Sequence, residues 1–319
     1  MKSSAVAHPV QGLIKYHGLR DEELRLPFHD SISVCTAPLR THTTFEFGDF
    51  PENEVIIDGR PVTGRDLERV WRVVRAVKKR AGLEQNFRIH SKNNFPSNIG
   101  LGASSSGFAA LAVAACDAAG LKLNLQQISR IARLGAGSAS RAVTGAFSRW
   151  RKGLSDADSY SYQIASEELQ MGILVALVPA YKSTEDAHKE VLSSPYFQSR
   201  LAEIPRMLDE MELAIRQRDI GKICMLAERD TLLLHGITMT GVGEMLLWRP
   251  ETVSVIMKVR KMREENIPAF FSIDTGATVY VNTFSDRVSD VKSELEELGI
   301  DIMECRVGGR ARVVKEHLF

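Results

Sequence analysis

Glycines and hydroxyl residues between positions 94 and 108 form the stretch of this chain best suited to chemistry. Gly100 and Gly102 can turn tightly and bring backbone amides close to a ligand, and Ser104, Ser105 and Ser106 follow them. The alanine-rich run beyond predicts a helix that begins near Ser104 or Ser105. Unpaired N–H groups and partial positive charge at a helix N-terminus suit a phosphate. A serine-capped helix after a glycine turn would give the same pattern without a ligand.

Three charged residues elsewhere are further candidates. Arg141 stands among small residues at 135–147, where a guanidinium can bind a carboxylate or phosphate through two hydrogen bonds; an arginine facing solvent is the alternative. Asp274 lies between an apolar strand and Thr-Gly, where an unpaired carboxylate would be costly unless it is used; a plain turn is the alternative. Lys15 belongs to a loop punctuated by proline and glycine, which also carries tyrosine, histidine and arginine.

Strands and helices must position these residues. Alternating β-branched residues predict strands at 31–35 and 41–47, and Asp58-Gly59 predicts a hairpin. Apolar residues at helical spacing follow from Gly64, and a strand at 87–91 leads into the glycine loop. A second short helix should follow the alanine-rich helix and end in a loop at 135–147.

The second half of the chain continues this alternation. A polar stretch near 155–170 is the best candidate for a domain boundary. It is followed by a buried strand at 172–179, a polar loop at 180–186, three amphipathic helices, a strand at 269–273 with a returning strand at 278–282, a helix at 286–298 and a final strand at 300–307. Because the spacing is not that of regular βαβ units, the pattern favours an α+β fold over a doubly wound sheet.

Composition narrows the class of protein. The 319 residues are enough for two domains and a substantial core, and the net charge of +1 does not suggest a nucleic-acid or membrane-surface protein. No apolar run is long enough for a membrane span, so we expect a cytoplasmic protein without membrane or nucleic-acid partners. The cysteines form no metal or redox spacing and are expected to be small core residues; they are Cys35, Cys116, Cys224 and Cys305.

Four motifs in order resemble the mevalonate diphosphate decarboxylases, members of the GHMP kinase superfamily. They are Lys15-Tyr16-x-Gly18-x-Arg20-Asp21-x-x-Leu24-x-Leu26-Pro27, Pro96-x-x-x-Gly100-Leu101-x-x-Ser104, Gly137-Ser138-Ala139-x-Arg141-x-x-x-Gly145-x-Phe147-x-x-Trp150 and Asp274-x-Gly276-Ala277. The resemblance implies a GHMP-kinase-like two-domain fold. A ribosomal-S5-like domain would span residues 1–165 and a ferredoxin-like domain residues 166–319, with the active site in the cleft between them.

The resemblance also implies roles for individual residues, with ATP and Mg²⁺ as cofactors. Asp274, Lys15 and Arg141 would be catalytic. Substrate would be bound by Tyr16, His17, Arg20, Ser138, Ser140 and Lys182. ATP would be bound by Gly100, Gly102, Ser104, Ser105, Ser106 and Asn93, with Ser104 also a ligand of Mg²⁺. Since the superfamily is often dimeric, a homodimer is a further expectation.

The sequence departs from the family pattern in the first motif, which concerns the substrate's phosphorylated tail, and in the ATP loop. His17 and Leu19 stand where the diphosphate enzymes carry a tryptophan and a second lysine, and Ala103 replaces the first serine of the ATP loop. Losing a cation weakens the binding of a doubly phosphorylated tail. The sequence most resembles a branch that acts on mevalonate 5-phosphate, so we expect a pocket built for one phosphoryl group. Arg20 or Lys182 could replace the missing lysine.

The expected activity is therefore ATP-dependent decarboxylation of mevalonate 5-phosphate to isopentenyl phosphate, through phosphorylation of the tertiary hydroxyl. The nearest competing activity is decarboxylation of the 5-diphosphate to isopentenyl diphosphate. Less favoured are a kinase that stops at the 3-phosphate and a non-catalytic binding module. The presence of Asp274, Lys15 and Arg141 together argues against the kinase.

Overall fold

The structure, a computed structural model, describes residues 1–97, 100–180 and 184–319. Its strands are β1 (Lys2–Ala7), β2 (Val10–Ile14), β3 (Leu19–Asp21), β4 (Leu26–Pro27), β5 (Ser31–Ala37), β6 (Thr41–Gly48), β7 (Glu54–Ile57), β8 (Arg60–Pro61), β9 (Asn86–Asn93), β10 (Phe147–Trp150), β11 (Ser161–Ala165), β12 (Gly172–Ala176), β13 (Phe270–Ser272), β14 (Val279–Thr283), β15 (Ile302–Val307) and β16 (Arg312–Val314). Its α-helices are α1 (Gly64–Ala81), α2 (Ala103–Ala118), α3 (Leu125–Gly135), α4 (Ala139–Thr144), α5 (Thr184–Glu190), α6 (Phe197–Arg216), α7 (Ile220–Met239), α8 (Pro250–Glu264) and α9 (Val288–Glu296).

Two large sheets organise these elements. Within the described residues, the first sheet has the order β16-β1-β6-β9-β7-β8, and only β7 and β9 pair in parallel. The second has the order β11-β10-β5-β15-β12-β14-β13, with β2 added on β5. All its pairs are antiparallel.

The three largest hydrophobic cores of the described residues lie against the sheets. One joins the first sheet to α1, α2, α3 and α4, another joins the second sheet to α6 and α7, and a third includes α8 and α9. Helix α2 is lined with alanines and is buried on most of its surface, which lets it pack closely under the first sheet. All four cysteines are buried free thiols, as the sequence predicted.

Both ends of the chain contribute to the same sheet. Strand β16 pairs with β1 through Ala5 and Val313, and β15 pairs with β5 through Thr36 and Val307. Residues beyond 300 therefore complete sheets begun in the first half of the chain. The domain boundary near 165 stays a prediction. The pairing of β16 with β1 and the pairing of β15 with β5 both cross it.

Three local expectations were wrong. Helix α5 begins at Thr184, inside the polar loop predicted at 180–186. The predicted loop at 135–147 contains α4, which is short but regular, and the fold does not finish with the strand at 300–307 because β16 follows. Neither element has enough residues for its periodicity to be read in the sequence. Helix α2, in contrast, begins at Ala103, one or two residues before the predicted start.

Candidate active site

A cavity of about 460 Å³ brings together residues from both halves of the chain. Its wall is formed by β2 and the loop after it, the start of α1, the glycine loop, α4, α5, α7 and the turn after β13. All three residues expected to be catalytic, Lys15, Arg141 and Asp274, line it. Because these residues are more than 100 positions apart, only the tertiary fold could place them together.

The carboxylate of Asp274 is fixed by the backbone of β2. The Gly12 N–H donates to both its oxygens, at 3.0 Å to Oδ1 and 3.2 Å to Oδ2. A Cβ at position 12 would lie 2.6 Å from Lys15 Cγ and 2.9 Å from Asp274 Oδ1, so only glycine permits this approach. The Asp274 carbonyl accepts a hydrogen bond from His235 Nε2 on α7, at 3.1 Å. The turn is therefore held from two sides.

Lys15 lies in a buried network of charges. Its Nζ donates to Thr231 Oγ1 at 3.0 Å and lies 3.6 Å from Asp230 Oδ2. Asp230, which is completely buried, also accepts hydrogen bonds from the Lys15 N–H at 2.9 Å and from Arg200 at 2.8 Å. Burial lowers the pKa of the Lys15 ammonium, and the carboxylates of Asp230 and Asp274 oppose that shift. We call Lys15, Asp230, Arg200 and Asp274 the charged end of the cavity.

Arg141 lies on α4, over the rings of Tyr16 and Trp150. One of its terminal nitrogens donates to Ser31 Oγ. Its Nε is buried and has no hydrogen-bond partner among the described residues, so a donor remains for a ligand. Burial lowers the pKa of the guanidinium, which is the cost of holding it away from water. Such a group suits a carboxylate, and Ser138 lines the cavity beside it.

Aromatic rings and imidazoles form another part of the wall. Tyr16 packs edge-to-face on Trp150 at 4.8 Å and stacks on His188 at 5.1 Å between ring centroids. His17 lies 5.2 Å from the His188 ring, and its Nε2 is 2.9 Å from Thr275 Oγ1. The Gly18 N–H donates to His188 Nδ1 at 3.2 Å, which directs the opposite edge of that imidazole away from the loop. We call Tyr16, His17 and His188 the aromatic end.

Glu185 stands at the rim near the aromatic end. Its carboxylate pairs with Arg25 at 2.7 Å and with Arg65 at 3.1 Å. Burial would raise the pKa of this carboxyl group, but the charge and hydrogen bond of Arg25, together with the charges of His188 and Arg69, hold the pKa below its usual value. Glu185 is therefore ionised at neutral pH and binds α5 to the start of α1 and to the turn before β4.

The glycine loop adjoins a second cavity. Gly100, Gly102, Ser104 and Ser105 line the first cavity, and Gly102 has the left-handed φ of 70° that ends the loop. Ser104 also lines the second cavity, of about 630 Å³, together with Asn93. The Asn93 side chain donates to Asp58 and accepts from Thr41, so it shapes that wall. The loop thus separates two spaces that could hold the two parts of a nucleotide.

Several expected residues occupy other places. Arg20 does not line the cavity, because its guanidinium donates to the backbone carbonyls of Pro27, Lys152, Gly153 and Leu154. Ser140 is fully buried and donates to the Gly137 carbonyl, and Ser106 is fully buried on Thr41. These three positions do not support direct ligand binding. Lys182 lies outside the described residues.

Leu19 also points elsewhere. Its side chain is 9% exposed and packs in a small cluster with Tyr16 and Trp150. It is absent from the cavity wall among the described residues. The missing lysine at this position therefore does not leave a gap in the cavity.

Sequence reasoning did not identify Asp230, Arg200, Glu185, His188 or His235 as site residues. One signal was available for Asp230. The buried face of α7 carries Ile223, Ala227, Asp230 and Leu234 at helical spacing, and a charged residue within such an apolar stripe needs a partner. For Glu185 and His188 the surrounding sequence offers no comparable signal.

Neither a preformed metal cluster nor a membrane span is found in the described part of the chain. Among residues 1–97, 100–180 and 184–319, no group of three or more His, Cys, Asp or Glu side chains is arranged to hold a metal ion. No helix within these ranges is both long enough and apolar enough to cross a membrane.

Comparison with known sequences identifies the family. A family model described as the diphosphomevalonate decarboxylase-like N-terminal domain matches residues 7–161. The phosphomevalonate decarboxylase of Haloferax volcanii is 47% identical over 319 residues, which cover 99% of this chain and 98% of that protein.

Solved structures extend the similarity to the whole fold. The mevalonate diphosphate decarboxylase from Enterococcus faecalis aligns with a TM-score of 0.92 and 29% identity, over 99% of each chain. A structure of MDDEF in complex with MVAPP, AMPPCP and magnesium aligns with the same TM-score, identity and coverage. The α+β fold expected from the sequence is confirmed. The chain belongs to the diphosphomevalonate decarboxylase family of the GHMP kinase superfamily.

Proposed function

We propose that this protein converts mevalonate 5-phosphate and ATP to isopentenyl phosphate, CO2, ADP and phosphate. The observation that carries the proposal is the Asp274 carboxylate, held on the Gly12 N–H, in one cavity with Lys15 and Arg141. The similarity to the Haloferax phosphomevalonate decarboxylase supports the same activity. A tertiary alcohol is a poor leaving group, so the reaction needs phosphorylation before the carbon–carbon bond can break.

Asp274 is the group that acts on the tertiary hydroxyl. Its fixed carboxylate orients this hydroxyl and accepts its proton as the oxygen attacks the γ-phosphorus of ATP. Lys15 offsets negative charge that builds up during the transfer. Because Asp230 and Thr231 hold the Lys15 side chain in place, the ammonium does not need to reorganise.

Arg141 acts in the second step. The guanidinium holds the substrate carboxylate while the 3-phosphate departs with the electrons of its carbon–oxygen bond. The electrons of the breaking carbon–carbon bond then form the double bond, and CO2 is released. The unpartnered Nε and the burial of Arg141 support this assignment, and Ser138 assists from the same loop.

The glycine loop and the second cavity fit a nucleotide. Backbone amides at residues 102–104 would hold the triphosphate, since phosphoryl transfer depends on positioning and electrostatics. Mg²⁺ usually keeps several waters and takes few protein ligands, so the exposed Ser104 hydroxyl fits it without a carboxylate cluster. When bound, Mg²⁺ would neutralise phosphate charge. The solved complex of MDDEF with AMPPCP and magnesium supports both cofactors.

Decarboxylation of the 5-diphosphate is the second candidate, because the family model and the solved structures carry that name. His17, which lines the cavity where the diphosphate enzymes carry a tryptophan, and the similarity to the Haloferax phosphomevalonate decarboxylase favour the monophosphate. A cytoplasmic location and a homodimer also remain proposals.

Product analysis with both mevalonate phosphates tests the function. We expect one CO2 and one ADP for each isopentenyl phosphate formed, with kcat/KM at least about tenfold higher for the monophosphate, which corresponds to about 1.4 kcal/mol. Formation of ADP without CO2 would identify a kinase. Absence of ADP formation and of ATP binding would identify a binding module.

A further inference from the structure

We propose that Glu185 is the residue that restricts the tail of the substrate to one phosphoryl group. The inference rests on the proposed function and deepens it. Glu185 lines the cavity, carries a full negative charge, and occupies two guanidinium groups that would otherwise suit a second phosphate.

The position of the tail follows from the other two ends of the substrate. The tertiary hydroxyl lies at Asp274 and the carboxylate at Arg141. The guanidinium of Arg141 is 5.5 Å from the Tyr16 ring, so the carboxylate site directly adjoins the aromatic end. The phosphorylated arm, which leaves the same central carbon, must then run along Tyr16, His17 and His188.

Glu185 stands where that arm would be extended. It lies on α5, three residues before His188, and residues at this spacing share a helix face. His188 is stacked on Tyr16, so the same face of α5 covers the aromatic end. A 5-diphosphate would bring its outer phosphoryl group toward the rim, where the Glu185 side chain is 16% exposed.

The charges at the rim explain how Glu185 would discriminate between the monophosphate and the diphosphate. Arg25 is buried and Arg65 is more than half exposed, and both direct donors to Glu185. A guanidinium already engaged by a carboxylate is a poor ligand for phosphate unless that carboxylate is displaced. The ionised carboxylate also repels the additional negative charge of a diphosphate. Both effects act on the diphosphate and leave the monophosphate largely unaffected.

The experiment compares Glu185→Gln with the wild type on mevalonate 5-phosphate and mevalonate 5-diphosphate at saturating ATP. We expect the kcat/KM ratio to shift toward the diphosphate by at least about tenfold. The shift should appear mainly as a lower KM for the diphosphate relative to the KM for the monophosphate. Glu185→Asp keeps the charge and should retain the wild-type preference.

Glu190→Gln is the matched control. Glu190 is on the same helix but accepts the Gly243 N–H at 2.8 Å, so its change should leave the ratio unaltered. An equal loss for both substrates in Glu185→Gln would overturn the inference, since it would show that Glu185 only holds α5 in place. Equal wild-type kinetics for both substrates would also overturn it.

Calorimetric binding of both mevalonate phosphates separates this inference from the proposed function. If the wild type released no CO2 from either substrate, the proposed function would fail. The binding preference, and its loss in Glu185→Gln, would still test the inference. An unchanged binding preference in that variant would overturn it independently of catalysis.

Discussion

The charged end and the aromatic end of the cavity differ in their burial and in the interactions that form them. At the charged end, Lys15, Asp230 and Arg200 are almost completely buried, and their hydrogen bonds fix one another. At the aromatic end, ring packing supplies the wall, and the charges of Glu185 and Arg65 lie at the rim. A buried network keeps a reacting group in one position, whereas a rim charge discriminates between ligands that differ at their far end.

This difference separates rate from specificity. Changes at the charged end should affect turnover and stability, because each removed charge leaves a buried partner uncompensated. Changes at the aromatic end and its rim should affect the choice of substrate more than the chemical step. The following predictions, together with the Glu185→Gln test, examine whether the two ends can be separated in this way.

Asp274→Asn should have the largest effect. The amide keeps an oxygen for the Gly12 N–H but cannot accept the hydroxyl proton, so we expect kcat to fall by at least about 10²-fold. Binding of ATP and substrate should remain nearly intact in calorimetry. Asp301→Asn, an exposed aspartate, is the control. Retention of more than about a tenth of wild-type turnover would show that Asp274 has another role.

Asp230→Asn should destabilise the protein. Without this carboxylate, Arg200 loses its buried counter-charge and Lys15 keeps only Asp274 to oppose burial, so we expect the free energy of unfolding to fall by about 3 kcal/mol. Urea denaturation measures the loss. Asp209→Asn, whose side chain is 81% exposed near Arg149, should change stability little. Comparable stabilities of the two variants would contradict a tightly coupled charged end.

His235→Gln should change how stability depends on pH. Burial lowers the pKa of His235 to about 4, so between about pH 6.5 and 4 the unfolded chain binds a proton that the folded chain does not. Stability is therefore lost as the pH falls through this window, by at most about 1.4 kcal/mol per pH unit. The glutamine keeps a donor for the Asp274 carbonyl and removes this titration.

Urea denaturation at several pH values measures that slope, which should be shallower in His235→Gln. His29→Gln should change it in the same direction, since burial also lowers the pKa of His29 to about 4. An unchanged slope in both variants would contradict the buried, neutral state of these imidazoles.

Leu19→Lys should have the smallest effect on the choice of substrate. The Leu19 side chain packs with Tyr16 and Trp150, so an ammonium introduced there does not face the phosphorylated arm. We expect a smaller shift in the kcat/KM ratio than for Glu185→Gln, together with lower stability from the buried charge. Measuring kcat/KM of both variants with both substrates shows which substitution shifts the ratio more. A larger increase in kcat/KM for the diphosphate in Leu19→Lys than in Glu185→Gln would contradict this prediction.

The sequence alone determined most of the elements, and its motifs indicated the candidate catalytic residues. The period of apolar residues predicted α1, and the alanine-rich run predicted the start of α2 to within two residues. The four motifs identified Lys15, Arg141 and Asp274, which line one cavity. The elements could be predicted because periodicity is a local property of the chain. The catalytic roles of the three residues stay predictions.

Only the tertiary structure decided which neighbouring side chains reach the cavity. Lys15 and Arg20 are only five positions apart in the sequence, yet one faces Asp230, 215 positions away, and the other binds the carbonyls at 152–154. Glu185 gains its role from Arg25 and Arg65, 160 and 120 positions away. The direction of a side chain depends on the strand pairing and packing of the whole chain, because the partners that stabilise it come from distant elements.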